Sequence, residues 1–236
     1  MQIKECIILA GGLGTRLRTE VANLPKCMAP VAGKPFIHWV LIYLQLQKVT
    51  SFVLSLGYMH EVIEEYIGEY FPDLSVKFSV EKEPLGTGGA IHLAMKLCKE
   101  EHILVANGDT LFETNNENLL THHLAKKSDC TIALKPIENF DRYGVVKIDS
   151  RNSIISFEEK KYQQRGLING GVYLINKSSF NKIIFPEKFS FEKDFLEKFV
   201  QKITMVGIED HGYFIDIGIP EDFKKANLEI KEKYNV

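Results

Sequence analysis

The chain of 236 residues carries 29 basic and 31 acidic side chains, which gives a formal net charge of −2. This balance argues against a nucleic-acid-binding protein, because such proteins usually show a strong basic excess. No apolar run approaches the ~20 residues that a membrane-spanning helix needs, and the N-terminus lacks a secretory signal pattern. We therefore expect a cytoplasmic protein with no nucleic-acid or membrane partner.

The first half of the sequence alternates between strand patterns and helix patterns. The predicted strands cover residues 5–10, 51–58, 76–80 and 102–109, and the predicted helices cover residues 35–48, 61–71 and 90–99. Short apolar strands separated by amphipathic helices are typical of a parallel sheet with helices on both faces. We therefore predict an α/β fold with a Rossmann-like mixed, mostly parallel sheet.

The second half of the sequence is richer in strand patterns. They occupy residues 130–136, 143–149, 153–159, 167–175, 203–208 and 212–216. Helical patterns lie near Ser178–Ile183 and Phe191–Phe199, and a last helix is predicted to begin at Pro220, with acidic residues in its first turn. No internal repeat or low-complexity linker divides the chain, so we predict a single domain over residues 1–236.

The cysteines Cys6, Cys27, Cys98 and Cys130 are widely spaced and form no C-x-x-C pair. This spacing is typical of reduced thiols rather than of a disulfide framework or a metal site. Cys6 and Cys98 lie in apolar segments and are expected to fill the core.

A glycine-rich segment follows the first strand, in the sequence ILAGGLGTRLRTEVANLPKCMAP of residues 8–30. Gly11, Gly12 and Gly14 let backbone N–H groups approach anionic oxygens, and Arg16 and Lys26 add positive charge. The segment matches neither a Walker A loop nor a dinucleotide loop, whose third glycine is replaced here by leucine. It indicates a phosphate site of another kind, and a glycine turn with solvated cations is the alternative.

Two aspartates, Asp109 and Asp216, end apolar strand patterns that lie far apart in the sequence. Carboxylates at such strand ends can share a Mg²⁺ ion, which prefers a few carboxylates together with phosphate oxygens and water. Aspartate next to a glycine is also common in turns, so two turn-capping acids are the alternative interpretation.

The string LAGGLGTRL…PKCMAPVAGKP resembles the signature of the sugar-1-phosphate nucleotidyltransferases, also called NDP-sugar pyrophosphorylases. It departs from the usual pattern at Cys27, where proline is common, and at Arg18-Thr19, and neither departure removes a charged group. Later blocks match the family in the expected order, namely EPLGTGGA, VANGDTLF, RYGVVKID, FEEK, LINGGVYL and YFIDIGIPEDF. The resemblance implies a GT-A-like nucleotidyltransferase fold. The sequence shows one helix after Asp216, so we expect no hexapeptide-repeat β-helix domain.

The family resemblance also implies roles for individual residues. The nucleotide-binding half would be about residues 1–112, and the sugar-phosphate-binding half would be about residues 113–236. Catalytic roles fall on Arg16, Lys26 and Asp109, and Mg²⁺ would be held by Asp109 and Asp216. Nucleotide binding falls on Leu9, Ala10, Gly11, Gly12, Gly14, Thr15, Glu81, Gly86 and Thr87, and sugar-phosphate binding falls on Gly144, Glu159, Lys160 and Asn169. For Glu159 and Lys160 the alternative is an exposed charge pair at a strand end.

The implied reaction is attack of a sugar-1-phosphate oxygen on the α-phosphorus of a nucleoside triphosphate, which expels pyrophosphate. A phosphate monoester has its second pKa near ~6 and is largely dianionic at neutral pH, so the nucleophile needs no general base. Catalysis is then expected to come from positioning, from Mg²⁺ and from cationic side chains.

The expected nucleotide is GTP, because Glu81 stands where many uridylyl- and thymidylyltransferases of the family carry glutamine. Guanine offers a ring N–H beside an exocyclic amine, and this pair of donors suits a carboxylate that accepts twice. Glu83 is the other candidate for this position.

The expected sugar rests on resemblance alone. The blocks are most similar to members that act on D-glycero-α-D-manno-heptose 1-phosphate and supply GDP-heptose for capsule, surface-layer or lipopolysaccharide glycans. The alternatives are a mannose-1-phosphate guanylyltransferase, a short uridylyltransferase for N-acetylmuramate or glucose 1-phosphate, and a non-catalytic nucleotide-sugar sensor. A homo-oligomer is possible.

Overall fold

The computed structural model describes residues 2–12 and 24–234. The strands of these residues are β1 (Glu5–Leu9), β2 (Pro30–Val31), β3 (Lys34–Pro35), β4 (Ser51–Leu56), β5 (Ser75–Val80), β6 (His102–Asn107), β7 (Thr110–Phe112), β8 (Cys130–Phe140), β9 (Val145–Ile148), β10 (Ile154–Glu158), β11 (Gln163–Asn176), β12 (Met205–Glu209) and β13 (Phe214–Asp216). The helices are α1 (Phe36–Leu46), α2 (His60–Tyr70), α3 (Gly86–Met95), α4 (Asn116–Ala125), α5 (Lys177–Asn181) and α6 (Pro220–Tyr234). A 3₁₀ turn covers Lys26–Met28, and a π-helical segment covers Phe191–Glu197.

The first half forms a parallel sheet in the order β6-β1-β4-β5. In the register of its strands, Cys6 of β1 lies between Leu104 of β6 and Phe52 of β4. β4 and β5 lie on one side of β1, whereas β6 lies on its other side. Open α/β sheets bind ligands at such a topological switch point, here between β1 and β6, at the carboxyl ends of the strands.

Both faces of this sheet are buried, as the apolar runs predict. Alternate side chains of β1 point to opposite faces. Ile8 packs in the cluster that includes side chains of α1, whereas Ile7 packs in the cluster that includes Ile91 of α3 and Phe195 of the π-helical segment. The predicted fold class, a mixed and mostly parallel sheet with helices on both faces, is confirmed.

The second half adds antiparallel strands to the same sheet. β11 pairs antiparallel with β6, β8 and β9, and its register with β8 shifts between Asn169 and Tyr173. A separate two-stranded sheet joins β7 to β13, with Thr110 opposite Asp216. This small sheet brings the ends of two distant segments together beside the carboxyl end of β6.

Several elements differ from the sequence predictions. Helix α4 was not predicted, because its sequence NENLLTHHLA is polar and poor in strong helix formers; the side chain of Asn115 caps it by accepting a hydrogen bond from the Asn118 N–H at 2.9 Å. Helix α3 begins at Gly86, four residues before the predicted start at Ala90. None of the helices in residues 2–12 and 24–234 is long and apolar enough to cross a membrane.

A buried histidine makes stability depend on pH. His123 is 0% exposed, and its ring nitrogens lie 2.8 Å from Thr131 Oγ1 and 3.0 Å from His102 Nδ1. Burial, followed by the charge of His102, lowers the pKa of His123 to about 4. As the pH falls, His123 is protonated first in the unfolded chain, where its pKa is ordinary, near ~6.5. The stability of the folded protein therefore decreases as the pH drops from about 6.5 toward the folded-state pKa of about 4.

We expect the wild-type protein to lose about 2 kcal/mol more unfolding free energy than His123→Gln between pH 7 and pH 5. Urea titrations at the two pH values measure this difference. His122→Gln, a substitution of the neighbouring histidine on the same helix, serves as the control and should keep the wild-type slope. Equal losses in the wild-type protein and in His123→Gln would contradict the assignment.

Candidate active site

The site begins where the adjacent strands β1 and β6 end. The Gly108 N–H donates to the Leu9 carbonyl at 2.8 Å, and a Cβ on Gly108 would lie 2.9 Å from that oxygen. Glycine is needed for this close approach, which places Asp109 next to the glycine-rich segment that follows β1.

Lys26 joins the two predicted metal-binding aspartates. Its Nζ lies 2.6 Å from Asp109 Oδ2 and 3.5 Å from Asp216 Oδ1, and its side chain is only 16% exposed. Asp109 precedes β7 and Asp216 ends β13, so the pairing of these two strands brings the carboxylates to one ammonium group. Residues separated by up to 190 positions thus form one compact cluster.

The electrostatics of the cluster favour an additional cation. Burial raises the pKa of Asp216, Lys26 opposes the shift, and the nearby charge of Asp109 raises it further. Among the described residues of this cluster, the two carboxylates outnumber the one ammonium group. Within residues 2–12 and 24–234, no group of three or more His, Cys, Asp or Glu side chains has a metal-binding arrangement. Mg²⁺ is commonly held by one or two carboxylates together with substrate phosphate oxygens and water, so the donor set fits the predicted ion.

A cavity of about 1090 Å³ opens beside this cluster. The predicted residues that line it are Leu9, Ala10, Gly11, Gly12, Lys26, Glu81, Gly86, Thr87 and Asp109. Gly14, Thr15 and Arg16 lie outside the described residues. The cavity therefore brings together both predicted nucleotide-binding segments and two of the three predicted catalytic residues.

Both candidate base-facing glutamates line the cavity, and their surroundings differ. Glu81 Oε2 accepts a hydrogen bond from the Leu85 N–H at 2.8 Å, and burial raises the pKa of Glu81. Glu83 is exposed. Glu81 is thus fixed at the entrance of α3 and has one carboxylate oxygen committed to the loop backbone.

The glycines of the EPLGTGGA segment dock α3 against the chain that precedes the π-helical segment. Gly86 has φ +72°, and a Cβ on it would lie 2.6 Å from the Phe189 carbonyl oxygen. A Cβ on Gly88 would clash with the Phe189 ring, and one on Gly89 would lie 2.5 Å from the Glu187 carbonyl oxygen. These glycines therefore permit close packing between the two halves of the chain, a role that the sequence analysis did not anticipate.

The predicted sugar-phosphate residues do not line this cavity. Glu159 and Lys160 are exposed, and a Cβ on Gly144 would lie 2.5 Å from the Glu158 carbonyl oxygen, so these three residues are near one another. Asn169 donates to the Tyr173 hydroxyl at 2.8 Å and accepts from the Gly171 N–H at 3.0 Å.

Tyr143 connects this region to Asp216, one of the two predicted metal-binding aspartates. Burial, followed by the nearby charge of Asp216, raises the pKa of Tyr143 to about 12. Tyr143 immediately precedes Gly144, so the predicted sugar-phosphate residues begin beside the carboxylate that Lys26 contacts.

Sequence reasoning missed some of the residues that line the cavity. Asn107, Tyr58 and Glu192 lie on its wall, and Glu192 comes from the π-helical segment of the second half. The block FSFEKDF that contains Glu192 carries no glycine or strand-end signal. Packing of the π-helical segment against α3 brings Glu192 to the predicted nucleotide-binding segments.

With this geometry established, the comparisons define the class of protein. The family model described as nucleotidyl transferase matches residues 5–233, and the chain belongs to this family. The resemblance inferred from the sequence blocks is therefore confirmed.

The relatives are similar along nearly the whole chain. D-glycero-α-D-manno-heptose 1-phosphate guanylyltransferase of Aneurinibacillus thermoaerophilus is 50% identical over 96% of this chain and 98% of its own length. The crystal structure of HddC from Yersinia pseudotuberculosis complexed with GMP-PN is 38% identical, with a TM-score of 0.87 over 97% of this chain and 100% of that chain. Mannose-1-phosphate guanyltransferase of Schizosaccharomyces pombe is 34% identical over 93% of this chain and 62% of its own length.

Proposed function

We propose that this protein joins GTP and D-glycero-α-D-manno-heptose 1-phosphate to give GDP-heptose and pyrophosphate. The observation that supports the transfer chemistry is the cluster of Lys26, Asp109 and Asp216, of which Lys26 and Asp109 line the cavity. The 50% identity to a heptose 1-phosphate guanylyltransferase supports the choice of sugar. The product would serve capsular or lipopolysaccharide glycans.

In the proposed reaction, a non-bridging oxygen of the sugar 1-phosphate bonds to the α-phosphorus of GTP. The bond from the α-phosphorus to the oxygen that bridges to the β-phosphorus breaks, and pyrophosphate leaves with the electron pair. The nucleophile is already a dianion near neutral pH, so the protein has to bring two anions together and stabilise the charge between them.

Lys26 is the residue of this chain that we assign to the reacting phosphate. Its ammonium group is held by two carboxylates at 2.6 and 3.5 Å, so little side-chain freedom remains to be lost when it donates to an α-phosphate oxygen. Arg16 is proposed to hold the triphosphate through its planar guanidinium group. The backbone of Gly11 and Gly12 is proposed to approach the phosphates closely.

Asp109 and Asp216 are proposed to hold Mg²⁺ together with substrate phosphate oxygens. When bound, Mg²⁺ neutralises charge on the triphosphate and on the departing pyrophosphate. The excess of two carboxylates over one ammonium group in the cluster supports this assignment. A non-catalytic sensor would not need the set of Arg16, Lys26 and both aspartates that this chain retains.

The two halves of the chain are proposed to divide the substrates. Residues of about 1–112 would bind GTP, with Glu81 toward the base and with Gly86 and Thr87 on the cavity wall. Residues of about 113–236 would bind the heptose phosphate through Lys160, with Glu159 and Asn169 toward the sugar hydroxyls and Gly144 beside them. The proximity of Tyr143 to Asp216 supports this arrangement.

Pyrophosphate release tests the proposal when Mg²⁺ is present and substrates are crossed. GTP, UTP, dTTP, CTP and ATP are each combined with the 1-phosphates of manno-heptose, mannose, glucose and N-acetylmuramate. We expect turnover with GTP and the manno-heptose phosphate. Faster turnover with mannose phosphate would keep the chemistry and overturn the choice of sugar, and turnover with UTP instead would overturn the assignment of the base.

A further inference from the structure

Glu192 places a third carboxylate on the cavity wall that also carries Glu81 and Glu83. It belongs to the π-helical segment, whose first residue, Phe191, is fully buried. The segment is therefore anchored in the core, and the position of Glu192 at the cavity is fixed by packing.

Hydrogen bonds fix the orientation of the Glu192 side chain. Its Oε2 accepts from Thr87 Oγ1 at 2.8 Å and from Ser190 Oγ at 3.1 Å. Thr87 Oγ1 in turn accepts from the Phe191 N–H at 2.9 Å. Thr87 and Ser190 thus donate to the same oxygen of Glu192, Oε2. The other oxygen, Oε1, has no hydrogen-bond partner among the described residues.

The bond between Thr87 and Glu192 changes what Thr87 can offer to a nucleotide. A hydroxyl group has one hydrogen, and that of Thr87 is donated to Glu192. The polar group presented at this point is then the carboxylate of Glu192, which can only accept while it is ionised. A ligand group that binds here must be a hydrogen-bond donor.

Guanine presents several donors that Glu81 and a second carboxylate can share. Its ring N–H and its exocyclic amine together carry three hydrogens, whereas Glu81 already commits Oε2 to the Leu85 N–H. Leu85 and Thr87 are two residues apart, so Glu81 and Glu192 are tied to the same short loop. Glu81 and Glu192 each use Oε2 within the protein, so the Oε1 atom of each carboxylate can accept a hydrogen bond from a ligand.

We propose that Glu192 is a second base-recognition residue that accepts a hydrogen bond from the exocyclic amine of guanine. This inference rests on the proposed use of GTP. Thr87 then acts as a positioning residue that orients Glu192, and the π-helical segment of the second half takes part in selecting the nucleotide.

Inosine triphosphate tests the proposal because it lacks only the exocyclic amine. We compare kcat/KM for GTP and for inosine triphosphate, with the heptose phosphate at saturation, in the wild-type protein and in Glu192→Met. The methionine keeps the side-chain length and removes the acceptor. The preference for GTP should fall by about 10- to 100-fold in Glu192→Met, because a hydrogen bond to a charged acceptor is lost.

Two variants separate recognition from structural damage. Glu192→Gln should keep part of the preference, because its amide oxygen still accepts. Glu197→Gln removes an exposed carboxylate of the same segment that does not line the cavity, and it should keep the wild-type preference. If Glu192→Met does not fold, Thr87→Val tests the same contact through the loss of the orienting bond and should lower the preference for GTP.

The possible failures are distinguishable. A wild-type protein that does not use GTP would overturn the proposed function itself. An unchanged preference in Glu192→Met, with GTP turnover in the wild-type protein, would overturn only the role of Glu192. Loss of the preference in Glu83→Gln alone would assign the amine to Glu83. A change in the ratio of GTP to 2′-deoxyGTP without a change in the inosine ratio would place the ribose at Glu192, and it too would overturn the proposal.

Discussion

Asp109→Asn is expected to lower kcat by about 100- to 1000-fold, because the substitution removes a carboxylate that contacts Lys26 and that we propose to hold Mg²⁺. Asp109 lies 2.6 Å from the Lys26 ammonium group and is followed by β7, whose backbone pairing with β13 does not depend on the aspartate side chain. The fold should therefore persist, and the loss should appear in turnover rather than in the unfolding transition.

The measurement for Asp109→Asn is the steady-state rate of pyrophosphate release together with a urea unfolding curve. Asp73→Asn, a substitution of an exposed aspartate in the loop after α2, is the matched control and should leave the rate unchanged. Wild-type turnover in Asp109→Asn would show that the Asp109 carboxylate does not contribute to catalysis, and it would contradict its proposed role in binding Mg²⁺.

Gly89→Ala is expected to destabilise the protein by about 1–3 kcal/mol, as overpacking of a filled site usually does. A Cβ at this position would lie 2.5 Å from the Glu187 carbonyl oxygen and 2.7 Å from Leu85 Cβ. The obstacle includes backbone, which cannot rotate away as a flexible side chain can. The variant should also weaken GTP binding, because the displaced loop carries Thr87 and the N–H that Glu81 accepts from.

Gly68→Ala is the matched control for Gly89→Ala. Gly68 lies within α2, and a Cβ there would meet no atom within 4 Å. The same substitution should therefore stabilise the protein by about 0.5–1 kcal/mol, because alanine loses less backbone entropy in a helix. If both substitutions change the unfolding free energy in the same direction relative to the wild-type protein, the packing role assigned to Gly89 is contradicted.

The sequence predicted the parts of the fold that periodic patterns encode. β1, β4 and β6 are apolar and largely buried, so their pattern indicated a parallel sheet, whereas the half-buried β5 alternates between polar and apolar residues. Helix α4 escaped prediction because its stability depends on the Asn115 cap and on tertiary packing rather than on intrinsic propensity.

The site was predictable where glycine and strand-end carboxylates mark it, and it was not where long-range packing forms it. Asp109 and Asp216 could be singled out from their position after apolar runs, but their common contact with Lys26 depends on the pairing of β7 with β13. Glu192 had no local signal, because its place on the cavity follows from the docking of two segments that lie about a hundred residues apart.

The glycines of the EPLGTGGA segment show how one pattern can serve two purposes. The family resemblance of this segment implied a nucleotide-binding loop, and Gly86 does line the cavity. The absence of Cβ atoms at Gly88 and Gly89 also allows Phe189 and Glu187 to approach α3. Sequence alone cannot distinguish a glycine required by a ligand from one required by a neighbouring segment.

Isotope transfer tests most directly whether an oxygen of the sugar phosphate attacks the α-phosphorus of GTP. Manno-heptose 1-phosphate labelled with heavy oxygen in its phosphate group is turned over with unlabelled GTP and Mg²⁺, and both products are analysed by mass spectrometry. We expect GDP-heptose to retain all of the label and pyrophosphate to contain none. Label in the pyrophosphate, or no turnover of this pair of substrates, would contradict the proposed attack.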